Sequence, residues 1–68
     1  NLSAYINNYR LEYAYRLLRD LDSKQTIDSI AKASGFSTVR TFQRLFKERY
    51  GMTPAEFRES YSGLRTNE

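Results

Sequence analysis

Apolar residues recur along this chain at helical rather than alternating intervals. Leu2, Ile6, Tyr9, Tyr13, Leu17 and Leu21, joined by Ala14 and Leu18, keep that spacing with no Gly or Pro to interrupt it, which predicts a helix over 2–21. Asn1 or Ser3 is placed to cap its start, and Asp20-Leu21-Asp22-Ser23-Lys24 is a polar exit in which Asp and Ser favour turns. A second helix of about two turns is predicted to begin after Thr26, whose hydroxyl can accept from the free amides of the first turn. Asp28 suits the positive end of that helix. Ile27, Ile30 and Ala31 then share a face, Gly35 supplies the tight backbone that ends the helix, and Phe36 is expected to return to the core.

The next stretch carries two incompatible faces. Val39, Phe42, Leu45, Phe46 and Tyr50 lie on one side of a helix expected to be capped by Ser37 and ended by Gly51. At about 100° per residue, Arg40, Arg44 and Lys47 fall within an arc of roughly 60° on the other side, with Gln43 at its edge. Thr53-Pro54-Ala55-Glu56 places Thr at a cap, Pro at the first helical position and Glu at the third. That capping box predicts a short final helix over 54–60. Residues 61–68 are polar, contain one Gly and show no periodicity, so they read as a disordered tail. With no strand candidate and no repeat, the fold class is all-α with four helices.

Charge separates these segments further. Residues 39–50 hold Arg40, Arg44, Lys47 and Arg49 against Glu48, while the seven bases and seven acids elsewhere cancel, so the net charge of +3 resides in this one helix. A helix that can anchor itself by one side and offer cations on the other is the footprint of a nucleic-acid reader. The two central helices, short then longer and joined by a Gly-containing turn, make a helix-turn-helix over 26–50. Its recognition helix, about 38–50, is expected to enter the major groove of double-stranded DNA.

Size and composition exclude other classes. A chain of 68 residues is one small domain with a marginal core and no room for a cleft between domains. It contains no Cys and no His, which removes disulfides, thiolate nucleophiles, zinc-finger sites and imidazole acid–base chemistry. Acid–base work by Asp20, Asp22 or Asp28 would need burial, and these sit at polar exits or helix starts. No enzyme, catalytic residue, metal site or cofactor is therefore expected. Six Tyr and four Phe must supply the core, because aromatic side chains bury the most area per residue. No segment approaches the roughly 20 apolar residues that span a bilayer, and no basic-then-apolar leader opens the chain. We expect a cytoplasmic protein, associated with the nucleoid when bound. Asn1 is not an initiator Met and a helix starts almost at once, which suggests a fragment of something longer.

Ile30-Ala31, Gly35-Phe36-Ser37, Phe42, Arg44, Phe46-Lys47, Gly51-Met52-Thr53-Pro54 and Phe57-Arg58 together resemble the signature of the AraC/XylS family of bacterial transcription regulators. Upstream, Tyr5-Ile6, Arg10-Leu11, Ala14 and Leu17-Leu18 resemble that family's long helix linking its two helix-turn-helix units. The resemblance covers about residues 2–60. It implies a homeodomain-like subdomain made of the linker helix and the second motif, with the first motif and a sensing or signalling domain belonging to the rest of the parent chain. Where family members commonly carry a small residue followed by Tyr-Phe, this chain has Arg40-Thr41-Phe42, so its base preference is expected to differ.

The residues assigned to base edges are Arg40, Thr41, Gln43 and Arg44. Arg suits the O6 and N7 acceptors of guanine, Gln the N6 and N7 of adenine, and Thr the thymine methyl. Ser37, Thr38, Lys47, Arg49 and Thr53 are assigned to phosphates, which position without carrying sequence information. Each assignment competes with a plainer one: capping for Ser37 and Thr53, a stem laid on the core for Arg49. Arg10 and Arg16 are placed to contact phosphates from the first helix, but the plainer account is that Glu12 pairs with Arg16 four residues on. Tyr5, Tyr9, Tyr13 and Tyr15 surround the first helix and cannot all bury in so small a unit. They favour the alternative function, a helical protein-interaction module contacting RNA polymerase or another domain of the parent.

Overall fold

Local chemistry sets the ends of four helices in the computed structural model, which describes residues 1–20 and 24–66, with side chains through Tyr61. They are α1 (Leu2–Arg19), α2 (Ile27–Ala33), α3 (Val39–Tyr50) and α4 (Pro54–Thr66). Asn1 caps α1 by accepting from the Ala4 amide at 3.2 Å. Thr26 does the same for α2, accepting from the Ser29 amide at 3.0 Å. At the end of α2 the Phe36 amide donates to the Ala31 carbonyl and the Gly35 amide to that of Lys32, both at 3.0 Å. This is the Schellman arrangement, and it requires the left-handed φ of +98° that Gly35 adopts. Its consequence is tertiary: it turns the chain so that Phe36 enters the core, 5% exposed. Gly51 closes α3 in the same left-handed region, at φ +83°.

Among the described residues, eight form the hydrophobic core: Leu11, Ala14 and Leu18 from α1, Ile30 and Ala31 from α2, Phe36, and Phe42 and Phe46 from α3. A run of ring contacts ties the elements together. Phe36 meets Phe42 (5.3 Å between centroids), Phe42 meets Phe46 (5.7 Å) and Phe46 meets Tyr50 (4.6 Å). Tyr50 stacks on Tyr15 of α1 (4.9 Å), which in turn meets Phe57 of α4 (4.9 Å). Offset and edge contacts of this kind add to the area that the rings bury.

Three sequence expectations require correction, and the core side of α1, which the sequence left open, is decided. The helix expected over 2–21 ends at Arg19, where the Asp20 amide turns back to the Leu17 carbonyl; Leu21 lies outside the described residues. Its core face is Leu11, Ala14 and Leu18, whereas Leu2, Ile6, Tyr9 and Tyr13 are exposed. The helix is apolar around much of its circumference, and periodicity alone does not choose between two apolar sides. The cap of α3 is Thr38, whose hydroxyl accepts from the Thr41 amide at 3.2 Å, and not Ser37. Burying Phe36 uses one further residue before the helix can begin.

The final helix, expected over 54–60 with a disordered tail over 61–68, continues to Thr66. Tyr61 stacks on Phe57 at 6.0 Å, and the Arg19 guanidinium lies 5.9 Å from the Tyr61 ring and 5.8 Å from that of Tyr15. These contacts anchor the helix beyond Ser60, against the roughly 1 kcal/mol that a helical Gly costs. Residues 67–68 lie outside the described residues.

Candidate nucleic-acid interface

The outward face of α3 is defined by what its inward face must do. Phe42 and Phe46 are fully buried at 0% exposure, which fixes the rotation of the helix about its own axis. Arg40, Gln43, Arg44 and Lys47 are consequently exposed together on the far side. Neither Arg40 nor Arg44 is drawn into the globule. Arg40 has no acidic partner among the described residues, whereas Arg44 approaches the Glu48 carboxylate at 3.5 Å.

Thr41 and Thr38 act locally. The Thr38 hydroxyl accepts from the Thr41 amide and donates to the Thr41 Oγ1 at 3.0 Å, so both of its functions are used within the first turn. Thr41 is half-buried at the edge of the face, and Ser37 is exposed just before it. Lys47 stands near the start of α4, close enough to favour the charged form of Glu56.

Two further residues assigned to phosphates are turned to internal tasks. The Arg49 guanidinium makes an ion pair with Glu12 of α1 at 3.2 Å and lies 5.4 Å from the Tyr50 ring centroid. Its position in the middle of the apolar arc was the sequence signal for this. The pairing also replaces the expected one of Glu12 with Arg16, because α3 brings a better-placed cation to the same carboxylate.

Thr53 and Glu56 form a reciprocal capping box: the Thr53 amide donates to Glu56 Oε1 at 2.9 Å, and the Glu56 amide to Thr53 Oγ1 at 3.2 Å. The amide bond from Thr53, followed by that residue's hydroxyl and by Lys47, holds the Glu56 carboxyl below the usual carboxylate range. The start of α4 is thus already supplied with its own anion.

On α1 the exposed residues Leu2, Tyr5, Tyr9 and Tyr13 make an aromatic stripe on the side away from Leu11 and Leu18. Tyr15, grouped with these tyrosines by sequence, belongs to the packed side instead, between Tyr50 and Phe57. No helix of the described residues is long and apolar enough to cross a membrane.

Comparison with known proteins agrees with this architecture. The profile of a family described as "Helix-turn-helix domain" matches residues 1–60. The probable transcription factor PqrA of Proteus vulgaris is 41% identical over 59 residues, covering 87% of this chain and 47% of that protein. The HTH-type transcriptional regulator ExsA of Pseudomonas aeruginosa is 38% identical over 62 residues, 91% of this chain and 22% of its own length. The virulence regulon transcriptional activator VirF of Yersinia enterocolitica is 38% identical over 55 residues, 81% of this chain and 20% of that protein. The chain therefore spans less than half the length of these relatives. No solved structure matches it significantly.

Proposed function

Since the chain belongs to the helix-turn-helix domain family, of the AraC/XylS type of bacterial transcription regulators, we propose that it reads DNA sequence by placing α3 in the major groove. The observation that carries this reading is the outward cluster of Arg40, Gln43, Arg44 and Lys47, set opposite the fully buried Phe42 and Phe46. Arg40 and Arg44 meet guanine edges, Gln43 an adenine edge, and Thr41 a thymine methyl. Lys47 and the exposed Ser37 contact phosphates and set the register. Thr38, Arg49 and Thr53 contribute mainly by holding the reading helix in place, with Arg49 reaching a phosphate only by leaving Glu12.

The chain acts as one half of a reader. A second helix-turn-helix and a sensing or signalling domain in the same parent protein supply the other half and the control, in the bacterial cytoplasm. Alone, the unit lacks the gain in effective concentration of a tethered pair and binds near the non-specific range, about 10⁻⁴–10⁻⁶ M at physiological salt.

The test is binding of wild type and Arg40→Ala to a panel of sites with single base substitutions. Loss confined to the base pair that Arg40 reads, worth about 1–3 kcal/mol, supports the reading; uniform weakening at every site rejects base contact. A second role is favoured by the exposed stripe of Leu2, Tyr5, Tyr9 and Tyr13, which is suited to another domain of the parent or to RNA polymerase. Salt distinguishes the two. Groove binding gives a slope of log K on log salt of about −0.9 for each phosphate neutralised by a cation such as Lys47, whereas an aromatic protein interface responds weakly.

A further inference from the structure

Each acid near the bases of α3 has an evident structural task, except one. Glu12 ties α1 to Arg49, and Glu56 caps α4 while lying near Lys47. Glu48 has Arg44 as its only partner among the described residues, at 3.5 Å, and both side chains are more than 60% exposed. It is also the only acid in a segment that otherwise carries four bases.

Helix stability does not account for it. Glu48 lies within the last turn of α3, where the negative end of the dipole opposes an acid. It follows its basic partner in sequence, the weaker of the two orders for an i, i+4 pair. Exposed pairs of this kind contribute little in either order. What Glu48 does achieve is electrostatic, since it places a negative charge beside the basic cluster of α3.

The geometry at Arg44 decides whom that charge opposes. Only Nη1 of Arg44 is engaged by Glu48. A guanidinium presents five N–H donors in a planar fork, so the remaining donors stay free for another acceptor. A guanine edge is neutral and can accept from those donors while Nη1 keeps its carboxylate. A phosphate is anionic, and its approach to the same guanidinium brings it against Glu48.

We infer that Glu48 is a specificity-determining residue, which leaves Arg44 available to a neutral base edge and penalises its capture by the DNA backbone. This inference rests on α3 occupying the major groove. Glu48 acts through Arg44 and by repulsion, so it lowers affinity for all DNA but lowers it most where no guanine meets Arg44.

The experiment uses the intact parent protein, a preferred site selected from a random DNA pool, and a scrambled duplex of equal length. Wild type, Glu48→Gln, Arg44→Ala and the double variant are titrated on both duplexes across a salt series, with thermal melting to verify folding. Glu48→Gln is expected to melt at or above the wild-type temperature. It should tighten binding to scrambled DNA several-fold more than to the selected site, and steepen the salt slope on scrambled DNA by about 0.9, one phosphate's share. Both effects should vanish in the Arg44→Ala background. Equal tightening on both duplexes, no change on either, or persistence of the effect without Arg44 overturns the inference while leaving groove binding intact. If wild type itself shows no salt-dependent preference for any duplex, the underlying reading fails and the inference falls with it.

Discussion

The guanidinium of Arg49, near the end of α3, donates to the carboxylate of Glu12 in the middle of α1 at 3.2 Å, across 37 positions of sequence. This contact joins α3 to α1, and it engages one of the four α3 bases within the fold. Because the side chains are 34% and 55% exposed, the pair is solvent-screened and worth about 0.2–1 kcal/mol. A double-mutant cycle of Glu12→Ala and Arg49→Ala, followed by urea unfolding, should return a coupling in that range. DNA affinity should fall less in Arg49→Ala than in Lys47→Ala; the reverse order would place Arg49 on the backbone after all.

Truncating either fully buried ring of α3 should destroy the unit. Phe42→Ala or Phe46→Ala removes a ring that touches its neighbours along the aromatic run and leaves a cavity, at a cost of about 3–5 kcal/mol. So small a domain has little more stability than that. Circular dichroism should show loss of cooperative melting.

The two left-handed glycines should respond differently to alanine. At Gly51 a new Cβ meets nothing within 4 Å, so Gly51→Ala should show backbone strain alone, about 1–2 kcal/mol. At Gly35 the same Cβ comes 3.0 Å from Nε of Arg10, so Gly35→Ala adds a displacement of that side chain to the strain. Melting temperatures should rank wild type above Gly51→Ala and Gly51→Ala above Gly35→Ala.

Glu56 gives the stability a carboxylate-dependent component. Its pKa is lowered in the folded state by the Thr53 amide, so the folded chain binds this proton less readily than the unfolded chain. The contribution is complete above the unfolded carboxylate pKa and is lost as pH falls through the depressed folded value. Glu56→Gln should therefore reduce stability at neutral pH and flatten its decline in acid. A decline identical to that of wild type would show that the capping box does not bear on stability.

How much of this was legible in the sequence depended on the range of the interactions involved. Thr26, Thr53, Pro54, Glu56, Gly35 and Gly51 act within a turn of their own backbone, and their tasks were readable without coordinates. The division of α3 was readable too, because only one side of that helix is apolar. The aromatic side of α1 was not, since Leu2, Tyr9 and Tyr13 match the helical period as well as Leu11 and Leu18 do, and only neighbouring helices choose between them. The extent of α4 escaped for a similar reason: its last turns are polar in sequence and are anchored through Tyr61 by Phe57 and Arg19, the latter a residue of another helix.

By itself, the sequence determined four helical segments, the starts of α2 and α4, the glycine stops after α2 and α3, the concentration of positive charge on one helix, and the resemblance to a family of DNA-binding regulators. Each of these is a property of neighbours along the chain or of simple counting. Tertiary structure alone decided which side of α1 is core, that Arg49 serves Glu12 rather than solvent, that Thr38 begins α3, and which cations remain outside. Those outcomes depend on which surfaces meet when helices pack, and burial of one ring constrains the rotation of a whole helix in a way that no local pattern specifies.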